Sequence, residues 1–360
     1  MVALYLETFD SDANCAEVAT NLWGLLRFAE SPSLSKDIYD ALIHEQYFVQ
    51  DEAAECINDL GSQFPDYIST AITDLFGLYD KYLEIIPPVK DEVGRVIKDG
   101  RDPSHERLGI GKALARLADC LESKHIQKFI ELVADRLDER DSQCHSLLRN
   151  AGVIAIKKHG EKVMSTLLPF LDKKLSDTPE KKENDNMRQG LVVLLGTLGM
   201  YLETQPDRVL QIFKKLISTL SIPSEAVQKS VADCLPQLVG FIENHATDTL
   251  ESLLHIMEAS ANYGERRGAA YGIAAIIYGL RPYIIVEMQL LHRVEKMITS
   301  KSNINQRESA LLIMELLFKI LGKSSEPFMP AFIPSLKKYD GSFISTWSKT
   351  YFTFNFESNC

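Results

Sequence analysis

Residues that could carry chemistry are scattered along the chain and complete no catalytic motif. The His-Glu pair at 44–45 lacks the second His that a zinc-protease helix places four residues after the first. The Gly-Lys-Ser run at 322–324 and the Gly-Ile-Gly-Lys run at 109–112 resemble the end of a phosphate-binding loop, but Leu317 and Glu106 stand where its first glycine is required. The first run fits a helix C-terminal glycine better. We therefore predict no catalytic residue, no cofactor or metal site and no small-molecule substrate.

Adjacent basic residues are the polar pattern with the strongest functional case. Cations that converge on one edge of a helical array can bind the phosphates of a nucleic acid without a fixed sequence. Lysines near helix C-termini also favour the helix dipole and solubility, so this explanation stays open. The candidate contact residues for a ribosome or another partner are Lys157, Lys158, Lys173, Lys174, Lys181, Lys182, Lys214, Lys215, Arg266 and Arg267.

These basic pairs lie in a chain whose sequence pattern repeats. The stretch 263–280 has small residues three or four apart, which predicts a helix that a neighbouring helix approaches closely. Similar boundaries between a polar turn and an apolar-periodic segment recur along the chain. They fall at Ala16, Gln50, Arg107, His145, Arg188, Gln228, Arg266 and Arg307. The last six boundaries are roughly 40 residues apart, close to the period of HEAT and armadillo arrays.

The arginines at these boundaries have a structural explanation. In repeat arrays a cation at such a place bridges to an acid or a carbonyl of the adjoining repeat. We therefore predict that Arg107, Arg188 and Arg307 are structural residues between repeats.

The periodicity predicts an all-α fold, a HEAT/armadillo-type α-solenoid formed as a right-handed superhelix of antiparallel helix pairs. An early long helix is predicted over 67–86, ended by Pro87-Pro88. Twelve further helices are predicted at 106–121, 126–137, 146–158, 163–175, 187–202, 207–220, 225–242, 249–259, 265–280, 284–299, 306–321 and 329–338.

The chain is predicted to have four parts. These are acidic HEAT-like helices at 1–89, an insertion at 90–105, the regular array at 106–338 and an atypical tail at 339–360. Residues 1–106 carry 7 Lys+Arg and 21 Asp+Glu, whereas the remainder has a net charge of +3. This asymmetry favours a polyanionic or mixed-charge partner for the remainder.

Cysteine spacing and hydropathy indicate the compartment. The 6 cysteines include no Cys-x-x-Cys pair and mostly lie in apolar-periodic segments, as expected of core residues in a reducing compartment. The uncharged run at 268–280 is shorter than the roughly 20 residues of a membrane span. We expect a cytoplasmic protein that does not enter a membrane.

With these residues laid out, the sequence resembles the general-control translational activators, very large HEAT-repeat proteins that activate the kinase of eukaryotic initiation factor two alpha. The resemblance runs from about residue 9 to 336. It is most specific at 265–272 (Glu-Arg-Arg-Gly-Ala-Ala-Tyr-Gly) and at 230–239 (Ser-Val-Ala-Asp-Cys-Leu-Pro-Gln-Leu-Val). The matching part of the family is similar to the HEAT domain of fungal elongation factor three.

The resemblance implies a non-catalytic scaffold in the amino-acid starvation response that contacts ribosomal RNA or protein. It also implies that the kinase-binding region lies further toward the C-terminus in the family, so that this chain would be a fragment, a truncated gene model or a short isoform. Two other readings stay open. One is a generic HEAT adaptor between proteins without ribosome binding, and the other is a subunit that lends shape to a catalytic partner.

Overall fold

Helices account for nearly all of the regular structure in the computed structural model of this chain. The structure describes residues 1–91, 95–202, 205–300, 303–328 and 330. It divides into two units, Met1–Tyr201 and Leu202–Cys360, which are described separately. In both units most connections between consecutive helices are short, and apolar side chains are buried between the helices. The predicted all-α class is confirmed.

In the described part of the first unit the helices are α1 (Val2–Glu7), α2 (Ala13–Leu25), α3 (Ser35–Leu42), α4 (Tyr47–Gln63), α5 (Tyr67–Lys81), α6 (Ser104–Cys120), α7 (Ser123–Ala134), α8 (Ser142–Asp177) and α9 (Asp185–Gly199). The predicted extension of α5 to residue 86 is wrong. The chain leaves the helix at Tyr82, and the Ile86 N–H instead donates to the Arg101 carbonyl at 2.9 Å.

Helix α8 folds back on itself. Near its start Cys144 Sγ donates to the Ser104 carbonyl of α6 at 3.3 Å, and near its end Lys174 pairs with Asp135 just after α7. A two-residue connection joins α6 to α7, so these helices are antiparallel and the start of α6 lies beside the end of α7. A straight helix would separate residues 144 and 174 by about 45 Å. The two halves of α8 must therefore run in opposite directions.

The reversal lies at His159. Lys158 Nζ donates to the Asp119 carbonyl, and His159 Nε2 contacts the Leu121 carbonyl at 2.8 Å, both at the α6–α7 connection. Residues 144–158 thus follow α6, and residues 159–174 follow α7. The two segments thus have the opposite directions expected of the predicted helices at 146–158 and 163–175. The predicted break between them is wrong, because helical geometry is continuous from Ser142 to Asp177.

In the described part of the second unit the helices are α10 (Pro206–Thr219), α11 (Glu225–Val239), α12 (Glu243–Ala259), α13 (Tyr263–Leu280), α14 (Ile284–Glu287), α15 (Leu290–Ile298) and α16 (Ile304–Leu321). A single helix predicted over 284–299 is wrong. Gln289 adopts φ 50°, which an α-helix does not accept, and α15 begins at the next residue.

Helix α13 packs closely, as its small residues predict. A Cβ added at Gly268 would collide with the Leu220 carbonyl, and one at Gly272 would lie 2.6 Å from Leu220 Cδ1 and 2.9 Å from Leu253 Cδ1. The apolar side of the same helix is fully buried, including Ile276. Glycine therefore sets the distance between α13 and its neighbours.

A two-stranded antiparallel hairpin separates α5 from α6. Its strands are β1 (Val89–Lys90) and β2 (Val96–Lys98), with Val89 opposite Lys98 and a register irregularity at Val89/Lys90. The hairpin falls largely within the predicted insertion at 90–105. The bounds 1–89, 90–105 and 106–338 stay predictions. The tail at 339–360 and most of the helix at 329–338 lie outside the described residues.

Among the described helices none combines the length and hydropathy that a membrane span requires.

Candidate functional site

All eight repeat boundaries predicted from the sequence occupy the fourth position of a helix. Apart from Ala16, which occupies this place in α2, they carry hydrogen-bond donors. These donors, called the donor ladder below, are Gln50, Arg107, His145 and Arg188 in the first unit and Gln228, Arg266 and Arg307 in the second. Six are buried and Arg307 is half-buried. A helical side chain leans toward the N-terminus, so a donor in the first turn reaches the preceding connection.

Arg107 is the ladder residue with the most complete set of partners. Its guanidinium donates to both Glu139 carboxylate oxygens at 2.9 and 2.8 Å, to Asp102 Oδ1 at 2.5 Å and to the Tyr82 carbonyl at 2.9 Å. Tyr79 Oη also donates to Glu139, at 2.5 Å. The Arg107 and Glu139 side chains are both fully buried. This cluster ties α5, α6 and the α7–α8 connection together.

The charges of this cluster support one another. Burial alone disfavours the Arg107 cation, but hydrogen bonds and charge from Asp102 and Glu139 outweigh burial and raise the Arg107 pKa. Hydrogen bonds from Arg107 and then Arg140 lower the Asp102 pKa. Burial, followed by the Glu139 charge, raises the Tyr79 pKa. Arg107 therefore stays a cation and Tyr79 stays protonated near neutral pH.

In α11 the ladder position holds a glutamine, Gln228, instead of a cation. Its amide Nε2 donates to the carbonyls of Leu220, Ile222 and Gly264 at 3.0, 2.8 and 2.8 Å. A Cβ at Gly268 would come within 2.9 Å of this nitrogen. One amide group thus joins the α10–α11 connection to the first turn of α13.

Gln50 makes the equivalent contacts in the first unit. Its Nε2 donates to the His44 carbonyl at 3.0 Å and to the His105 carbonyl at 3.2 Å. A Cβ at Gly109 would collide with the Leu42 carbonyl and lie 2.9 Å from Gln50 Cδ. The same pairing of a buried glutamine with a close-packed glycine therefore occurs in both units.

The remaining ladder residues mainly contact carbonyl groups. His145 Nε2 contacts the Asn186 carbonyl at 2.9 Å, and burial lowers the His145 pKa. Arg307 donates to the Ser300 carbonyl at 2.7 Å. Arg188 donates to the carbonyls of Thr178 and Pro179. The structural roles predicted for Arg107, Arg188 and Arg307 remain predictions, and these contacts are their geometric basis.

The two arginines at 266–267, which the sequence analysis grouped with possible partner contacts, are occupied within the protein. Arg266 is 2% exposed, pairs with Glu308 and donates to the Ala261 carbonyl at 3.0 Å. Arg267 donates to Gln228 Oε1 at 2.9 Å and to the Pro223 carbonyl at 2.5 Å. These bonds occupy N–H groups of both guanidinium groups. The partner-contact role predicted for Arg266 and Arg267 stays a prediction.

The lysine pairs of the first unit lie on two opposite edges. Lys158 lies at the α6–α7 connection, and exposed Lys157 and Lys162 lie within four residues of it in the chain; these three residues are called the Lys157 edge. Lys173 and Lys174 lie beside the end of α7. Helix α7 spans 12 residues, or about 18 Å, between these places. The structure therefore does not bring the two pairs together.

Four lysines of the first unit do share one edge. The chain continues from Lys174 into the connection 178–184, and Asn186 Nδ2 donates to the Glu139 carbonyl at 2.7 Å, at the same side as the α7–α8 connection. The Lys173 edge is therefore defined as Lys173, Lys174, Lys181 and Lys182. Lys173 and Lys182 are exposed and have no ion-pair partner in the described part of the chain. Lys181 pairs weakly with Glu183 at 3.6 Å.

The last lysine pair lies in the second unit. Lys214 is exposed on α10 and Lys215 is half-buried. The buried side of the same helix carries Ile212, Phe213 and Leu216. Lys214 and Lys215 therefore lie on the outer side of α10. Their predicted role in partner contact stays a prediction.

Sequence reasoning missed the acids that complete the arginine contacts. Glu139 lies in a connection, and Glu251 and Glu258 both bind Arg293, at 2.7 and 2.8 Å. A signal was available for Arg293, because the Glu251 partner lies 42 residues earlier, which is close to one repeat. For Glu139 the sequence offers no comparable spacing.

The two apparent phosphate-loop runs are parts of helices. Gly322 ends α16 with φ 52°, which confirms the predicted helix C-terminal glycine. Gly109 lies within α6, packed against Leu42. Among the described residues no group of His, Cys, Asp or Glu has the arrangement of a metal site.

The antiparallel helix pairs and the donors recurring in their first turns define a HEAT-type helical repeat protein. A family model described as "Stalled ribosome sensor GCN1, HEAT repeats" matches residues 1–200, more than half of the chain. The chain therefore belongs to the GCN1 HEAT-repeat family, which confirms the family predicted from the sequence.

Relatives match nearly the whole chain. The human "Stalled ribosome sensor GCN1" is 31% identical over 335 residues, covering 92% of this chain and 12% of the relative. The Saccharomyces cerevisiae "eIF-2-alpha kinase activator GCN1" is 24% identical, with 93% and 13% covered. The chain thus spans about one eighth of the length of these relatives. Among solved structures, one of Kap95p with RanGDP matches at a TM-score of 0.49 and 12% identity, covering 95% of this chain and 46% of that one.

Proposed function

We propose that this chain is a non-catalytic scaffold segment that docks on the ribosome through the Lys173 edge. In this proposal it contributes to a cytoplasmic pathway that activates the kinase of initiation factor two alpha. The names of the relatives, stalled ribosome sensor and kinase activator, support both parts of the proposal.

One observation carries the choice of surface. The buried cations of the first unit are already bound to acids or carbonyls, whereas Lys173 and Lys182 are exposed and lack ion-pair partners among the described residues. Exposed lysines can approach RNA phosphates at little desolvation cost, and the counterions that they release favour binding. Arg107 would lose internal bonds on doing the same.

The test is co-sedimentation of the purified chain with ribosomes through a sucrose cushion at low and raised salt. A triple variant, Lys173→Glu, Lys181→Glu and Lys182→Glu, removes the exposed charge of the Lys173 edge. The matched control is Lys157→Glu, Lys158→Glu and Lys162→Glu on the Lys157 edge, with the same charge change.

We expect salt-sensitive pelleting of the parent and the control but not of the Lys173-edge variant. Pelleting lost only in the control would move the contact to the Lys157 edge and refute the choice of surface. If the folded parent does not pellet at any salt concentration, the generic HEAT adaptor becomes the better explanation.

A further inference from the structure

A buried cation of α9, Arg188, contacts the connection between α8 and α9 and has no acid partner within the ranges that the structure describes. In that connection a threonine is followed by a proline. Arg188 is 5% exposed and donates to two carbonyls, those of Thr178 and Pro179. No carboxylate lies within ion-pair distance of it among the described residues. Arg107 and Arg266, at the same place in other helices, each pair with an acid. Arg188 is thus the buried ladder arginine whose charge is incompletely balanced.

The sequence beside Arg188 carries a protein-kinase substrate pattern. Thr178 is followed by Pro179, and Lys181 stands three residues after the threonine. A threonine before proline with a cation at this distance is the pattern that proline-directed serine/threonine kinases accept. Thr178 is half-buried and the next four residues, 179–182, are exposed. Its backbone is extended, with φ −75° and ψ 117°.

We propose that Thr178 is a phosphorylation site and that Arg188 binds the phosphate. In the reaction Thr178 Oγ attacks the γ-phosphorus of ATP. A P–O bond to the threonine forms, the bond to the β,γ-bridging oxygen breaks, ADP leaves, and the hydroxyl proton passes to the base of the kinase. The bond from Thr178 Oγ1 to the Lys174 carbonyl, 2.7 Å long, is lost.

The geometry favours capture of the phosphate by Arg188. The guanidinium already binds the carbonyl of Thr178, and the hydroxyl belongs to the same residue, so a phosphate on that hydroxyl lies within reach. A phosphate adds about −1.5 to −2 charge at pH 7 and three strong acceptors. Lys181 and Lys182 add positive charge in the same connection.

Repulsion opposes this capture but is the smaller effect. The carbonyl end of α8 and the carboxylates of Asp177 and Glu180 disfavour an anion, and Asp185 lies at the start of α9. Exposed charges are screened by salt, whereas a charge-assisted bond to a buried guanidinium is screened much less. Burial also lowers the Arg188 pKa, which a phosphate partner would reverse.

One consequence rests on the proposed ribosome contact. A phosphate on Thr178 adds negative charge within the Lys173 edge, so it would weaken docking there. The modification itself needs no ribosome, and its test below contains none, so the two proposals can fail separately.

The test treats the folded chain with a proline-directed kinase and Mg-ATP and maps phosphate by mass spectrometry. Thr178→Ala removes the acceptor, and Pro179→Ala keeps the acceptor but removes the recognition pattern. Ser31-Pro32 is an internal control, because Leu34 stands where the cation is needed. We expect phosphate on Thr178 and none in either variant. A folded chain left unmodified while a synthetic peptide of residues 172–186 is modified would overturn the site.

Phosphate binding by Arg188 is tested by ³¹P NMR titration of the phosphorylated chain, folded and in urea. A free phosphothreonine loses its second proton near pH 6. We expect the folded form to titrate about half a pH unit or more below the unfolded form, because the guanidinium favours the dianion. A folded form that titrates at or above the unfolded form would overturn the pairing with Arg188.

Discussion

Glu139→Gln should destabilise the first unit by about 3 kcal/mol. The carboxylate accepts two bonds from Arg107 and one from Tyr79, and both ionic side chains are fully buried. Removing one partner of a buried ion pair costs about 3–5 kcal/mol, because the other charge stays behind. Asp102 still pairs with Arg107, so the lower end of this range is expected. The folded-to-unfolded ratio would fall on the order of a hundredfold.

Urea unfolding with fluorescence detection measures this change. The chain has two tryptophans, Trp23 and Trp347. In a Trp347→Phe background Trp23, which is 7% exposed, reports the first unit. Glu183→Gln is the control, because its pair with Lys181 is exposed at both ends and should contribute no more than about 0.5 kcal/mol. A loss below about 1 kcal/mol for Glu139→Gln, or equal losses in the two variants, would refute this explanation of the Arg107 cluster.

Three further predictions follow from burial and close packing. Gly268→Ala should cost about 2–4 kcal/mol of unfolding free energy, because its Cβ meets the Leu220 carbonyl, while Gly240→Ala, with nothing within 4 Å, should cost less than about 1 kcal/mol. Burial, then nearby acids, raises the Glu52 pKa to about 7. The protonated Glu52 carboxyl stabilises the folded state fully below pH 4, and this contribution is lost as pH rises through 7. Thermal unfolding should therefore show that Glu52→Gln is more stable than the parent by about 2 kcal/mol at pH 8 and equally stable at pH 4. His145 has a lowered pKa, so stability should fall as pH drops below about 6.5, and His145→Gln should flatten urea-derived stability between pH 7 and 5. Equal pH profiles for parent and variant would contradict either assignment.

The repeat itself could be predicted from the sequence because local patterns determine it. A polar turn followed by apolar periodicity marks the first turn of a helix, and the marks from Ala16 to Arg307 all occupy the fourth helical position. Side-chain direction then brings most of the donors at these places to the preceding connection, the exceptions being Ala16, which has no donor, and His145, which contacts Asn186. The break at Gln289 was not predictable, since no glycine or proline marks it.

The candidate contact surface was predictable only in part. Lys158 and Lys174 end consecutive predicted helices, and consecutive antiparallel helices end at opposite edges. Their separation therefore follows from the predicted fold. Glu308, the acid that pairs with Arg266, lies 42 residues away, which is again close to one repeat. The burial of Arg266 could not be predicted in the same way, because it depends on the packing of α13 against α16.

The most direct test of ribosome docking is the salt dependence of binding between about 50 and 200 mM. Each phosphate neutralised contributes about 0.7–0.9 to the slope of log affinity against log salt. If Lys173, Lys181 and Lys182 each contact one phosphate, their triple glutamate variant should lose about 2–3 from the parent slope. An unchanged slope in that variant, or a loss found instead in the Lys157-edge control, would contradict the proposed docking surface.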